Sequence, residues 1–205
     1  KMFPKSKIKV VQSEKIGIIG VGEATTPNII DYLNYVDVPL QKIFGEANAT
    51  IKNGISFENW HGDGEKYMHG FQEHVASFAV GSVFEEGRFD YYLKNLMKEN
   101  KSFNEYTYVA KLSYQNKVDP KNISYALHFD TTKFSKVLSD IGKTRGVTVI
   151  EDVFKEAVLN ENGNIEKLIL ENQEVDGDFF FDCSGLNRLL IGKTFDTKWV
   201  SYRKH

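Results

Sequence analysis

The sequence predicts an α/β fold in which the sheet carries added antiparallel strands, and three observations predict it. Short β-branched runs alternate with segments of helical apolar spacing along the chain. A loop with glycines at 17, 20 and 22 follows the first of those runs and leads into a helix start. Late in the chain, two apolar runs flank Asn-Glu-Asn-Gly-Asn, a hairpin signal that a purely parallel sheet would not need.

Each element follows from its own pattern. Residues 7–12 (KIKVVQ) read as a buried strand, and residues 17–22 as a loop. Thr26 is placed as a hydroxyl N-cap with Pro27 in the first turn, followed by Ile29, Ile30, Leu33 and Val36 at helical spacing. A second short helix is expected over 40–47. Residues 49–60 alternate as one strand, with Ile51, Ile55 and Phe57 on one face and Thr50, Lys52, Gly54 and Ser56 on the other. The glycine-rich HGDGEKYMHG after it reads as a loop, and residues 89–97 and 103–114 as aromatic-rich helices.

A break at 116–121 (NKVDPK) is the best candidate boundary. Beyond it come a strand at 124–129, a helix capped by Asp130 and Thr131 and ended by Gly146, and a strand at VTVI. The hairpin pairs 154–159 with 165–170. Phe179, Phe180 and Phe181 then read as core strand running into the small-residue turn Asp182-Cys183-Ser184-Gly185.

Composition narrows the function classes. A net charge of −2 gives no reason to expect a nucleic-acid or membrane surface. The one cysteine, Cys183, excludes an intrachain disulfide and fits a reducing, cytoplasmic compartment. No apolar run approaches bilayer length, and no signal peptide is seen. His61, Asp63, His69 and His74 are irregularly spaced across the glycine-rich stretch, so no metal site is expected. His128, in YALHF, reads as a hydrogen-bonded core residue, and Cys183 as a packed thiol.

The richest stretch is GVGEATTPNI, residues 20–29. By spacing alone, Gly20 and Gly22 shape a turn and Glu23 favours the positive end of the following helix. The other reading is that the glycines let backbone approach a flat ring system closely. Lys52, likewise, is by pattern one more lysine on the polar face of a strand.

The strand–glycine loop–strand-and-hairpin order is similar to the two-dinucleotide-fold flavoproteins of flavin monooxygenase type. Within that group, GVGEATTP, NATIKNGISFENW, YALHFDTTKFSKVL and DCSGLNRLLIG resemble the flavin-dependent tryptophan halogenases over nearly the whole chain. The resemblance implies an FAD-dependent enzyme with a helical substrate-side insertion at 59–117 and a cofactor lobe formed by 1–58 and 118–205. It implies that reduced FAD from a separate reductase, dioxygen and a halide give hypohalous acid, which Lys52 delivers to an aromatic small-molecule substrate. Gln12, Ser13, Ile16, Gly20, Val21, Gly22, Glu23, Ala24 and Val153 would then contact the cofactor, and His69 and Phe71 the substrate.

Two positions depart from the family pattern. Gln12 stands where an acid usually binds ribose hydroxyls, and Gly70 where the family's His-Pro-Phe has proline. The family's GxGxxG turn and WxWxIP signature are not in the chain, so an incomplete protein is expected. A homodimer is compatible with this reading. An aromatic hydroxylase of the same fold, with Lys52 structural, and a non-catalytic flavin-binding remnant are the alternatives.

Overall fold

A computed structural model describes residues 5–17, 23–71, 98–99 and 107–204. In chain order the first elements are β1 (Lys9–Gln12), α1 (Asn28–Tyr35), α2 (Leu40–Glu46), β2 (Thr50–Lys52), β3 (Gly54–Glu58) and β4 (Lys66–Gly70). Then come α3 (Tyr108–Tyr114), β5 (Ala126–His128), α4 (Thr131–Thr144), β6 (Thr148–Glu151), β7 (Phe154–Leu159), β8 (Ile165–Leu170) and β9 (Glu174–Asp176). The mixed α/β class is the expected one. The chain divides into two compact units, Lys1–Ile18 with Gly142–His205, and Ile19–Ile141. The helix expected at 89–97 and the start of the one at 103–114 lie outside the described residues, as does His74.

The Ile19–Ile141 unit is built on an apolar core. Leu33 of α1, Ile43 of α2 and Leu127 of β5 are fully buried, and Val137 of α4 nearly so. Ile29, Ile30, Phe134, Leu138 and Ile141 pack against them, as helical spacing requires. The Asp130 carboxylate accepts the Lys133 N–H at 3.0 Å, the N-cap bond expected for α4. Thr26 makes no such cap for α1. Pro27 already has helical angles (φ −55, ψ −26), and only the Thr26 carbonyl takes part, accepting the Ile29 N–H at 3.0 Å.

The single strand expected at 49–60 is two. β2 pairs antiparallel with β5, Lys52 opposite Ala126, whereas β3 pairs with β4, Ile55 opposite His69 and Glu58 opposite Lys66. The chain changes partner at Asn53, whose amide donates to Ser113 Oγ (3.2 Å) and the Lys117 carbonyl (3.1 Å). The HGDGEKYMHG stretch is correspondingly not all loop, because its second half is β4. Its glycines turn only the first half, at Gly62 and Gly64 (φ +78 at both).

In the other unit, β1 and β6 form a parallel pair and β7, β8 and β9 an antiparallel sheet. The hairpin is where the turn residues placed it. Asn160 Oδ1 accepts the N–H groups of Asn162 and Asn164, and Gly163 takes φ +78. The α4 C-terminus closes on Gly146 (φ +89), with Val147 N–H donating to Gly142 O and Gly146 N–H to Lys143 O.

Four expectations about burial fail. β1 pairs but is not buried: Val10 is 41% exposed, since a two-stranded ladder covers little of either face. Phe179 and Phe181 form no strand and are 76% and 84% exposed, having no ladder partner among the described residues. Cys183, beside them, is exposed rather than packed. His128 is also exposed, because β5 turns its neighbours Leu127 and Phe129 inward.

Candidate functional site

Residues 23–25 run antiparallel alongside β5, joined to it through an isolated bridge. Phe129 N–H donates to Glu23 O (3.0 Å), Thr25 N–H donates to Leu127 O (3.0 Å), and Ala24 bridges His128. The Thr25 hydroxyl fastens this strap a second time. It donates to Leu127 O and accepts from Leu127 N–H, both at 2.9 Å. β5 is therefore held between β2 and the strap, which sets Lys52 beside Thr25.

Lys52 is half-buried. Its Nζ donates to the Thr25 carbonyl at 3.1 Å and lies 5.4 Å from the centroid of the Phe71 ring. An ammonium near the face of an aromatic ring is attracted by the ring's quadrupole. The Lys52 ammonium is thus held against the strap at Thr25. Gly20, Val21 and Gly22 themselves lie outside the described residues.

Gly54 leaves no free space beside the strand. A Cβ there would stand 2.2 Å from His69 O and 2.9 Å from the Gly70 Cα, so the missing side chain admits the β4 backbone. Gly70, where the family pattern has proline, has a similar reason. A Cβ on it would meet the Val109 side chain at 2.8 Å, and the glycine lets α3 pack on β4.

Phe71 thus joins Lys52. His69 is exposed, and its ring is 6.5 Å from Phe57 at 76°, within an aromatic face that stacks Phe57 on Tyr67 (5.1 Å, 12°) and sets Trp60 edge-on to Phe57 (5.4 Å, 84°). Glu23, also exposed, lines an open cleft of about 340 Å³ with Asn48, His128, Phe129 and Asp130. Among the described residues no three His, Cys, Asp or Glu side chains gather to hold a metal.

The other unit carries the remaining candidates at the carboxyl ends of β1 and β6. Gln12 is exposed and donates through Nε2 to Glu151 Oε2 at 3.3 Å. Glu14 N–H donates to the other Glu151 oxygen. Ser13 O accepts the N–H groups of Ile16 (3.1 Å) and Gly17 (3.3 Å), shaping the turn that leaves Ile16 67% exposed.

The Val153 backbone is partly engaged within the fold. Its N–H is taken by Asp152 Oδ1 (2.8 Å) and its carbonyl by Glu171 N–H (2.8 Å), so only the carbonyl's second lone pair could meet an adenine edge. The turn at 182–185 is committed likewise. Asp182 Oδ2 accepts from the N–H groups of Leu190 (2.9 Å) and Ile191 (3.1 Å), capping the π-helical turn Leu189–Thr194.

Sequence reasoning missed Thr25 and Glu151 as partners. Thr25 lies inside the quoted GEATT, and Glu151 ends VTVIE on the strand that pairs in register with β1. Both signals were present, but only pairing turns them into contacts.

The fold is similar to the α/β fold of flavin-dependent halogenases. The chain belongs to the tryptophan halogenase family, which it matches over residues 1–205. It is 29% identical to the 7-chloro-L-tryptophan 6-halogenase KtzR of Kutzneria sp. (strain 744), an alignment covering 96% of this chain and 42% of that protein. It is 28% identical to the tryptophan 7-halogenase RebH of Lentzea aerocolonigenes, covering 97% and 41%. The structure is similar to that of Xcc4156, a flavin-dependent halogenase from Xanthomonas campestris, with TM-score 0.79, 27% identity, and 92% and 38% covered. The fold class is the flavoprotein α/β fold of these enzymes. The chain spans about two fifths of the length of the relatives it matches.

Proposed function

We propose that the protein is an FAD-dependent halogenase acting on tryptophan or a related aromatic substrate, with reduced FAD from a separate flavin reductase and halide as co-substrate. When bound, the reduced flavin supplies the chemistry that makes hypohalous acid from dioxygen and halide. The observation that carries the reading is the Lys52 ammonium, bonded to the strap at Thr25 O and resting near the Phe71 ring.

An ammonium has three N–H donors. One is used on Thr25, so two remain to hold hypohalous acid while Phe71 offers a flat apolar surface to the substrate. Fixing oxidant and ring in one place removes much of the entropic barrier to their reaction. His69 would stand at the substrate's edge. Residues 59–117 form the substrate side in this reading, and 1–58 with 118–205 the cofactor side. Gln12, Ser13, Ile16 and the Val153 carbonyl would meet the adenosine half of FAD. Glu23 and Ala24, with Gly20, Val21 and Gly22, would meet the flavin half.

The donor set suits that cofactor. The carboxyl ends of parallel strands are where α/β folds receive nucleotides, and Gln12 stands there with acceptor capacity for ribose hydroxyls. The alternative is an aromatic hydroxylase of the same fold, in which the bond from Lys52 to Thr25 would serve structure alone.

Halide dependence separates the two. Given reduced FAD, dioxygen and tryptophan, the full-length protein is expected to yield a product heavier by one halogen in place of hydrogen, and none when halide is withheld. A hydroxylated product formed without halide would overturn the halogenase reading.

A further inference from the structure

We infer that Gln12 and Glu151 work as an oriented pair, in which the carboxylate fixes the amide so that its carbonyl oxygen faces outward to accept from the vicinal hydroxyls of a ribose. The inference rests on the flavin reading above and adds Glu151 as the residue that positions Gln12. Gln12 and Glu151 are register partners at the carboxyl ends of β1 and β6, so their side chains leave the ladder on the same side.

A primary amide has two faces, two donors on nitrogen and an acceptor on oxygen, and can present either by a half-turn. Its orientation is set by its neighbours. Here the neighbour is a carboxylate, which accepts only. Glu151 Oε2 lies 3.3 Å from Gln12 Nε2, and its other oxygen is held by the Glu14 N–H at the start of the 13–17 turn. Turning the amide over would place Gln12 Oε1 against Glu151, acceptor against acceptor. The nitrogen therefore faces inward and Oε1 outward.

The pairing accounts for a glutamine at a position where an acid is the usual ribose ligand. With Glu151 in place, a glutamate at 12 would set two carboxylates side by side, each disfavouring the other. Negative charge and acceptor function are divided between the two strands, Glu151 carrying the first and Gln12 the second. The arrangement makes a counterintuitive claim. Restoring the usual acid should harm nucleotide binding, and exchanging the two residues should repair it.

The test is titration of oxidised FAD into the full-length protein, read by flavin fluorescence, for wild type, Gln12→Glu, Glu151→Gln and the double exchange. Both positions are exposed, and thermal melting of each variant checks that folding is kept. Gln12→Glu is expected to weaken FAD about tenfold, the scale of one lost charge-influenced hydrogen bond. Glu151→Gln, which lets either amide turn, should weaken it by a smaller factor, and the double exchange should return to within about threefold of wild type.

Gln12→Glu binding as tightly as wild type or tighter would overturn the pair while leaving the flavin reading intact. So would a double exchange no better than Gln12→Glu. A wild-type protein that binds no FAD would overturn the flavin reading, and the pair with it. In competition against FAD, AMP should outperform 2′,3′-dideoxy-AMP on the wild type. Equal competition would also overturn the assignment.

Discussion

Lys52 is distinguished by what surrounds its charge. Lys9, Lys42, Lys66, Lys136 and Lys167 each meet a carboxylate at 2.6–2.8 Å, the ordinary fate of a surface lysine. Lys52 instead meets a backbone carbonyl and an aromatic ring, so its ammonium is positioned without being neutralised. The carbonyl is held by the Thr25 hydroxyl pair with Leu127. Thr25→Val keeps the shape and removes both bonds. It should cost about 1–2 kcal/mol of stability and lower halogenated product per flavin oxidised, while Thr25→Ser restores most of that ratio. A valine variant with the wild-type ratio would show that the strap does not position Lys52. At this scale the motif ATIKNGISF marked Lys52, and the structure sets that lysine beside the strap and Phe71. The sequence was silent on why Gly54 and Gly70 are glycines, the reasons being the β4 backbone and Val109. Close approach depends on partners that one sequence does not display.

Elements with strong local signals formed where expected. α4 has its Asp130 cap, its apolar stripe and its Gly146 stop, and β7 and β8 have the Asn-Gly turn between them. Elements that depend on distant pairing were harder to read. Residues 50–58 alternate without interruption, yet the strand divides at Asn53 because β5 and β4 claim its two halves. β9 was missed for the same reason, since Glu174–Asp176 is short and joins β8 through pairing alone.

The join between β6 and β7 turns on a buried carboxylate. Asp152 accepts from Val153 N–H (2.8 Å), Asn172 N–H (3.1 Å) and the Asn172 amide (2.9 Å), tying that corner to the β8–β9 turn. Burial pushes its pKa up, but these bonds outweigh burial and hold it below the ordinary value. A depressed folded pKa contributes stability above the unfolded value of about 4, and that stability is lost as pH falls through the folded pKa. Asp152→Asn should therefore lower the urea midpoint at pH 7, with the deficit shrinking toward pH 3. A deficit that stays constant with pH would contradict the clamp.

At the scale of the molecule, class was legible early because the family motifs are long and lie in order along the chain. Burial was not. Phe179, Phe181 and Trp199 are exposed, and hydrophobicity alone placed the two phenylalanines inside. The described residues contain no helix long and apolar enough to cross a membrane. In one unit Gln12 pairs with Glu151 at the ends of β1 and β6, and in the other Lys52 bonds the strap along β5.

The central claim is that Lys52 delivers the halogen and takes no part in making the oxidant. The most direct measurement follows halogenated product and flavin oxidation together in the full-length protein carrying Lys52→Ala. The account predicts loss of halogenated product, by at least about a hundredfold, with flavin oxidation continuing near the wild-type rate. Product formation that persists, or falls only in step with flavin oxidation, would contradict it.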